Sequence, residues 1–223
     1  HHGCLFLDEL LEFKRGALEV LRQPLEDGIV SICRARSRAT FPARPLLVAA
    51  VNPCPCGFHG DKQRRCTCSL ERVRMYRARL SGPLLDRIDL HVPLPPVDVA
   101  NIVSKARGES SAEVQRRVIA ARQLQAARRL AKETSVATNG ELGSRDLERV
   151  ASPDSAGLNI LAQAVERLGL SARAYTKVLR VARTIADLEG STAVRAAHVG
   201  EAIGTRLLDR LEAQTTAAVT NAV

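Results

Sequence analysis

Leu5-Phe6-Leu7-Asp8-Glu9-Leu10 is the stretch from which the fold of this chain is predicted. Three consecutive apolar residues favour a strand that is buried on both faces, as in a parallel sheet. Asp8 and Glu9 then follow at the point where this strand leaves the sheet. Because ligands of open α/β sheets bind at the carboxyl edge, the two carboxylates are candidates for a binding or catalytic site.

Each of the two carboxylates suits a different chemical role. Asp8 can hold Mg²⁺, a hard cation that prefers oxygen ligands and substrate phosphates. Glu9 can orient or deprotonate an attacking water. This arrangement is typical of the Walker B segment of a P-loop NTPase. A core strand followed by a solvated acidic turn gives the same short pattern, so the interpretation depends on the rest of the chain.

A second apolar run, Leu46 to Val51, predicts a second buried strand, and Asn52 ends it. An amide at the end of a neighbouring strand can hydrogen-bond a γ-phosphate or the lytic water. An asparagine before a proline is also an ordinary strand stop, so both interpretations stay open. Between the two strands, residues 13–23 are expected to form a helix that ends near Pro24.

The same intervening segment contains two β-prone pieces that flank a basic tip, which predicts a protruding hairpin. Arg34, Arg36 and Arg38 alternate along the tip, so we expect all three on one side of it. They are candidate contacts to the phosphate backbone of DNA. An exposed loop that is kept soluble by its charge is the alternative.

The net charge of +9 is concentrated in one part of the chain. From Arg34 to Arg87 there are 12 Lys or Arg and 3 Asp or Glu, and acidic and basic residues cancel elsewhere. A localised basic excess is expected of a protein that binds a polyanion. A solvated, arginine-rich surface would carry the same charge.

Four of the six cysteines form two close pairs, Cys54-Pro55-Cys56 and Cys66-Thr67-Cys68. Four thiols in two pairs can close a tetrahedral site around a structural Zn²⁺, and a metal would replace the core that the polar loop between the pairs lacks. Reduced or redox-active thiols are the alternative. Cys4 and Cys33 stand in apolar surroundings and are expected to be buried and unreactive.

Composition excludes several classes of protein. No stretch approaches the roughly 20 apolar residues of a membrane span, and no signal peptide is visible. With reduced or metal-bound cysteines, this predicts a cytoplasmic protein. Aromatic residues make up 3% of the chain, so aromatic stacking is not expected to drive ligand binding. Because the first residue is His, we expect that the N-terminal part of a longer protein is missing.

Arg87 lies in a turn ahead of a predicted strand near residues 91–94. It can pair with Asp86 or Asp89, or project into a neighbouring subunit as an arginine finger that stabilises charge on a transferred phosphoryl group. Pro93, Pro95 and Pro96 mark a predicted boundary. We expect 1–96 to be part of an α/β core, 97–212 an all-α domain and 213–223 a frayed tail.

Helix signals organise the segment after the boundary. Ser110 and Glu113 form a predicted capping box, and Ser152-Pro153 is expected to open a later helix. Arg173 falls in the first turn of another helix, after Ser171. A cation there opposes the helix dipole, which suggests a role beyond the helix, although an ordinary surface arginine would also fit.

Several long strings agree in order and spacing with one family, from the first residue to about Leu208. The chain resembles the magnesium-chelatase-like AAA+ ATPases of the ComM/YifB type. The strings that carry the resemblance are residues 1–10, 21–26, Ser31 with Arg34-Ala35 and Thr40-Phe41-Pro42-Ala43, Val51-Asn52-Pro53-Cys54-Pro55-Cys56-Gly57, 80–89, 168–175 and 181–188.

The resemblance implies an AAA+ core with a helical lid in a hexameric ring that uses ATP and Mg²⁺. It implies that Asp8 and Glu9 form Walker B, that Asn52 is sensor 1, that Arg87 is the arginine finger and that Arg173 is sensor 2. The hairpin would face the interior of the ring. The ComM branch implies branch migration of DNA, a helicase activity, in natural transformation. The chelatase branch instead implies a motor subunit that drives Mg²⁺ insertion into protoporphyrin.

The sequence departs from the family pattern at two points. Leu11 stands where proline is usual, and no G-x-x-x-x-G-K-[ST] loop occurs among the 223 residues. Since the backbone of that loop cradles the phosphates, we expect it to lie upstream of His1. We predict that this chain alone binds and hydrolyses ATP poorly. A non-enzymatic remnant that binds DNA or protein is a further alternative.

Overall fold

The computed structural model describes residues 1–34, 37–61, 63–95, 97 and 108–206. The described residues form two compact units, one up to Ile88 and the other from Asp89 onward. The predicted boundary follows a few residues later, and Pro96 lies outside the described residues, as does the predicted frayed tail.

Unit 1 combines short strands and short helices. Its strands are β1 (Cys4–Leu7), β2 (Ile29–Arg34), β3 (Ser37–Pro42) and β4 (Leu46–Ala49). Its helices are α1 (Arg15–Val20), α2 (Arg22–Asp27), α3 (Leu70–Arg77) and α4 (Gly82–Leu85), with a 3-10 turn at Leu10–Glu12. A small core of Leu10, Leu18 and Leu84 joins the 3-10 turn, α1 and α4.

The two strands predicted to lie side by side are neighbours. β1 pairs with β4 in parallel, with Cys4 opposite Leu46 and Leu7 opposite Ala49. The expected burial of both strands is wrong for the described residues, because Phe6 is 60% and Leu46 66% exposed. Among those residues the sheet has two strands and no layer that covers these side chains.

The segment between β1 and β4 contains two helices in place of the single predicted one. α2 begins at Arg22, and Pro24 lies in its first turn, so the expectation that Pro24 ends a helix is wrong. A proline is tolerated in the first turn because its missing N–H would have no partner within the helix. α2 instead ends at Gly28, whose φ of 67° is the left-handed conformation that glycine favours.

Among its described residues, the regular structure of unit 2 is helical apart from two single β-bridges. Its helices are α5 (Ser111–Leu130), α6 (Ser144–Val150), α7 (Ser155–Leu168), α8 (Ala172–Glu189) and α9 (Ala196–Gly204), with a 3-10 turn at Asn139–Glu141. Its core includes Leu161 of α7, Val178 and Ala182 of α8, and Val199 and Ala202 of α9.

The predicted helix starts are confirmed at two places and wrong at a third, and a predicted strand is absent. Ser110 and Glu113 form the capping box of α5, and the Ser171 hydroxyl caps α8 by accepting from the Ala174 N–H. α7 begins after Asp154, whose carboxylate accepts from Gly157 N–H at 2.7 Å, and not at Pro153. No strand forms over residues 91–94, where His91 makes a single bridge with Arg206.

A buried ionic network links α5, α8 and the 3-10 turn of unit 2. Asp187 is 2% exposed and accepts hydrogen bonds from Arg128 Nη1 at 2.7 Å, Arg183 Nε at 3.1 Å and Asn139 Nδ2 at 2.8 Å. Arg183 also donates to the carbonyl oxygens of Ser191 and Thr192. Because both guanidinium groups pair with the Asp187 carboxylate, the cost of burying these charges is offset by ionic hydrogen bonds.

Among the described residues, none of the helices combines the length and the apolar character that crossing a lipid bilayer requires.

Candidate functional site

The polar residues at the carboxyl ends of β1 and β4 come together. The Asn52 side chain donates from Nδ2 to Glu9 Oε1 at 3.5 Å, and Asp8 Oδ1 accepts from the Glu9 backbone N–H at 2.9 Å. Backbone hydrogen bonds from Ala50 to Leu7 and from Leu10 to Ala50, each 2.9 Å, hold the two strand ends together. This edge therefore presents two carboxylates and an amide from adjacent strands. We call Asp8, Glu9 and Asn52 the acidic edge.

Glu9 adopts an unusual backbone conformation. Its φ of 49° and ψ of 47° lie in the left-handed region, which costs a non-glycine residue on the order of 1 kcal/mol. Residues held in such conformations are concentrated at functional sites. Asp8 and Glu9 are both exposed, so a metal ion, a phosphate or water can reach them.

Arg87 is held by a partner that sequence reasoning missed. It forms an ion pair with Glu26 of α2 and donates to the carbonyl oxygen of Pro83. Its side chain is only 8% exposed. The sequence offered Asp86 and Asp89 as partners, and Asp89 in fact pairs with Lys177 in unit 2. The string that contains Glu26 was part of the family resemblance, but no local pattern linked Glu26 to Arg87.

Arg173 lies in unit 2, in the first turn of α8 as predicted, and is exposed. One turn further along α8, Lys177 is mostly buried beside Asp89. Burial lowers the pKa of Lys177, and the Asp89 carboxylate acts in the opposite direction. The first two turns of α8 therefore carry an exposed guanidinium followed by a paired ammonium group.

The hairpin forms, but its arginines do not share a side. β2 and β3 are antiparallel, with Arg34 opposite Ser37 and Cys33 opposite Arg38. Since opposed residues in a ladder project to the same face and successive residues alternate, Arg34 and Arg38 lie on opposite faces. The expectation that the arginines share one side is wrong. Alternation of side chains holds along one strand and does not continue across the turn that reverses the chain. Arg36 lies outside the described residues.

The four clustered cysteines converge on one point. Their sulfur atoms all lie within 4.8 Å of one another. Cys54 and Cys56 are separated by 3.4 Å, Cys56 and Cys66 by 3.5 Å, and Cys54 and Cys66 by 3.7 Å. A tetrahedral Zn²⁺ with bonds of about 2.3 Å places its sulfur ligands about 3.8 Å apart. The residues present therefore fit a four-thiolate metal site.

Backbone amides support charge on the cluster. The N–H groups of Phe58 and Thr67 donate to the Cys56 sulfur and lower the pKa of that thiol to about 5. Burial raises the pKa of Cys68, against a hydrogen bond from the backbone of Cys56. A cation bound by all four groups would favour the thiolate form of each. Cys4 and Cys33 are exposed, so the expectation that they are buried is wrong.

Two family models match the chain. Residues 1–102 match the model described as magnesium chelatase, subunit ChlI, and residues 108–206 match the model of the C-terminal part of the same subunit. Together they include the acidic edge, the hairpin and cysteine cluster, and α8.

Curated relatives match nearly the whole chain. It is 41% identical to the competence protein ComM of Haemophilus influenzae over 211 residues, which is 94% of this chain and 40% of that protein. It is 43% identical to the uncharacterized protein YifB of Escherichia coli over 215 residues, 95% of this chain and 40% of that protein. YifB of Salmonella typhimurium is 42% identical over 213 residues. The chain thus spans about 40% of the length of these relatives.

Proposed function

The chain belongs to the magnesium-chelatase-like family that includes ComM and YifB, and from that membership we propose that it forms part of an ATP-driven DNA-remodelling motor. The observation that carries the proposal is the acidic edge, where Asp8, Glu9 and Asn52 meet at the carboxyl ends of two parallel strands. This is the edge at which α/β sheets bind ligands.

The acidic edge supplies the residues that hydrolysis of a phosphoanhydride requires. Asp8 would hold the Mg²⁺ that accompanies ATP, and this ion would neutralise charge on the phosphates. Asp8 Oδ1 is oriented by the Glu9 N–H, so the carboxylate has a fixed direction. Glu9 orients the attacking water as general base, and the Asn52 amide fixes the position of Glu9 through the bond between their side chains.

Two arginines complete the proposed site in an oligomer. Arg87 would act on the ATP of a neighbouring copy as an arginine finger, and Arg173 would contact phosphate as sensor 2. Both assignments follow from the family motifs in which these residues stand. Because Arg87 is paired with Glu26, engagement in another subunit requires that this ion pair be exchanged for a pair with phosphate. A homo-oligomeric ring, as in the hexamers that the family implies, would provide such neighbours.

DNA is the proposed substrate, and the distribution of charge supports it. No Asp or Glu occurs between Asp27 and Asp61, a segment that holds the hairpin and four arginines. Such a segment attracts phosphates without reading sequence. The name of the Haemophilus relative, competence protein, is consistent with action on DNA. We therefore propose sequence-independent DNA binding and ATP-driven branch migration, in the cytoplasm.

A chelatase role is the second candidate, because both family models take their description from magnesium chelatase. In that role the motor drives insertion of Mg²⁺ into protoporphyrin through a protein partner. It does not need a basic DNA-binding surface, so absent or salt-insensitive DNA binding would favour it.

The test is an ATPase assay on this chain joined to a segment that carries the G-x-x-x-x-G-K-[ST] loop, with and without single-stranded and branched DNA. We expect DNA to stimulate turnover. Glu9→Gln should lower kcat by about 100-fold or more, the range for loss of a general base, while nucleotide remains bound. The matched control is Glu12→Gln, an exposed acidic residue in the adjacent turn that pairs with Arg79. Turnover that persists in Glu9→Gln would refute the role of Glu9.

A further inference from the structure

We propose that the four-cysteine cluster is a metal-dependent clasp for the acidic edge: a thiolate-bound Zn²⁺ fixes Asn52 beside Glu9. The structure joins the two features through a short, stiff segment and through one side-chain hydrogen bond. The inference depends on the proposed role of Asn52, but its test is made on Asn52 itself, without nucleotide or DNA.

The first connection is along the chain. Asn52 is followed by Pro53 and then by Cys54, a metal-ligand candidate with 0% exposure. The proline ring locks φ of Pro53 near −65°, so few soft dihedral angles separate the Asn52 backbone from the Cys54 sulfur. An ion that fixes the Cys54 sulfur therefore restricts Asn52 directly.

The second connection runs through α3. The helix starts immediately after Cys68, with Ser69 as its N-cap, and its last residue, Arg77, donates from Nε to the Pro53 carbonyl oxygen at 3.1 Å. Val73 and Tyr76 on the same helix are buried. Residues 53–77 thus form a loop that is closed twice, once at the four sulfur atoms and once by Arg77.

The part of this loop between the two cysteine pairs has little else to order it. Gly57 and Gly60 have positive φ, and the described residues after Asp61, Gln63, Arg64 and Arg65, are exposed. Asp61 caps a turn by accepting from Gln63 and Arg64, and Arg64 lies over Phe58, but these are local contacts at the surface. Without a buried apolar core, the free energy that orders such a loop comes from metal binding.

The bond that the clasp would control is sensitive to small movements. Asn52 and Val51 are exposed, so side-chain packing does not hold the end of β4 in place. The distance from Asn52 Nδ2 to Glu9 Oε1, 3.5 Å, is near the upper limit for a hydrogen bond. A shift of a few tenths of an ångström toward Glu9 or away from it makes or breaks this bond. The position of the Pro53 carbonyl, fixed by the metal and by Arg77, therefore decides whether Asn52 orients Glu9.

The experiment is a titration of the reduced 223-residue chain with Zn²⁺, followed by NMR of the ¹⁵N-labelled protein. The side-chain amide signals of Asn52 are assigned from their loss in Asn52→Asp. We expect one Zn²⁺ per chain, a change in the Asn52 side-chain signals on loading, and return of these signals to their initial positions on chelation. The double variant Cys66→Ser/Cys68→Ser should abolish both the binding and the change.

The variant Arg77→Gln tests the hydrogen bond of Arg77 separately from the four sulfur ligands. Loss of its hydrogen bond to Pro53 is expected to weaken Zn²⁺ binding by about three- to tenfold, the range for one hydrogen bond, and to reduce the change at Asn52. Arg74→Gln, on an exposed position of the same helix, is the matched control and should alter neither. Signals of β1 and β4 backbone amides report whether any variant has unfolded unit 1.

Two results would overturn the proposal. The first is stoichiometric Zn²⁺ binding that leaves the Asn52 side-chain signals unchanged, and the second is the absence of Zn²⁺ binding by the four thiols. Failure of the ATPase assay with an intact response at Asn52 would instead count against the proposed function alone.

Discussion

At the scale of single residues, the positions that sequence reasoning found are those with local signals. Asp8, Glu9 and Asn52 each end an apolar run, and the parallel pairing of β1 and β4 brings them together. Glu26 and Arg77 have no such signal, because their partners, Arg87 and Pro53, are distant in sequence. A contact between a helix and a remote loop depends on tertiary packing, which no short pattern encodes.

Asp187 gives the clearest single-residue prediction. Its carboxylate is 2% exposed and accepts from both Arg128 and Arg183. Burial lowers the pKa of Arg183, and Asp187 counteracts this effect. Asp187→Ala removes the one carboxylate that both guanidinium groups share. We expect it to lower the free energy of unfolding of unit 2 by about 3–5 kcal/mol, the range for breaking a buried ion pair.

The measurement is urea denaturation followed by the circular dichroism of the helices. Glu148→Ala, at an exposed position in α6, is the control and should change the free energy of unfolding by less than about 0.5 kcal/mol. A loss below about 1 kcal/mol in Asp187→Ala would mean that the network contributes little to stability.

At the scale of helices and strands, the type of an element was easier to predict than its faces and ends. The capping box of Ser110 and Glu113 could be predicted because it is a local hydrogen-bonding requirement. The burial of β1 could not be predicted in this way, since it depends on what covers the sheet. The prediction that the arginines share one face was wrong because the chain reverses direction at the hairpin tip.

The hairpin register leads to a prediction that the sequence alone could not make. Arg38 shares its face with Ser31 and Thr40, whose hydroxyl groups lie 3.2 Å apart. Arg34 shares the other face with Ile32 and Phe41, both about half exposed. Because arginine and hydroxyl groups together suit phosphate oxygens, we expect the Arg38 face to contact the DNA backbone.

Arg38→Ala should therefore weaken binding to single-stranded DNA and reduce the slope of log K against log salt by about 0.7, the value for one lost phosphate contact. Arg34→Ala is the matched variant on the opposite face and should leave the slope nearly unchanged. Fluorescence anisotropy at several salt concentrations measures both. The reverse order of effects would assign the DNA to the Ile32 and Phe41 face.

At the scale of the whole molecule, the sequence predicted an α/β unit followed by an all-α unit, and the described residues have this composition. The place of the division, between Ile88 and Asp89, was not evident because the prolines that suggested a boundary follow it. The chain carries the proposed hydrolytic carboxylates and DNA-binding segment but no G-x-x-x-x-G-K-[ST] loop. The two proposed activities therefore depend on different parts of the protein and can be separated.

This separation leads to a prediction for the 223-residue chain alone. Triphosphate binding in P-loop proteins relies on backbone N–H groups and a lysine that surround the phosphates. Here Asp8 and Glu9 would face the triphosphate without that loop, and their negative charge opposes binding. We expect the chain to bind ATP more weakly than micromolar in isothermal titration calorimetry with Mg²⁺, yet to bind single-stranded DNA with steep salt dependence. Addition of a segment that carries the loop should restore nucleotide binding, and micromolar ATP affinity of the isolated chain would contradict the prediction.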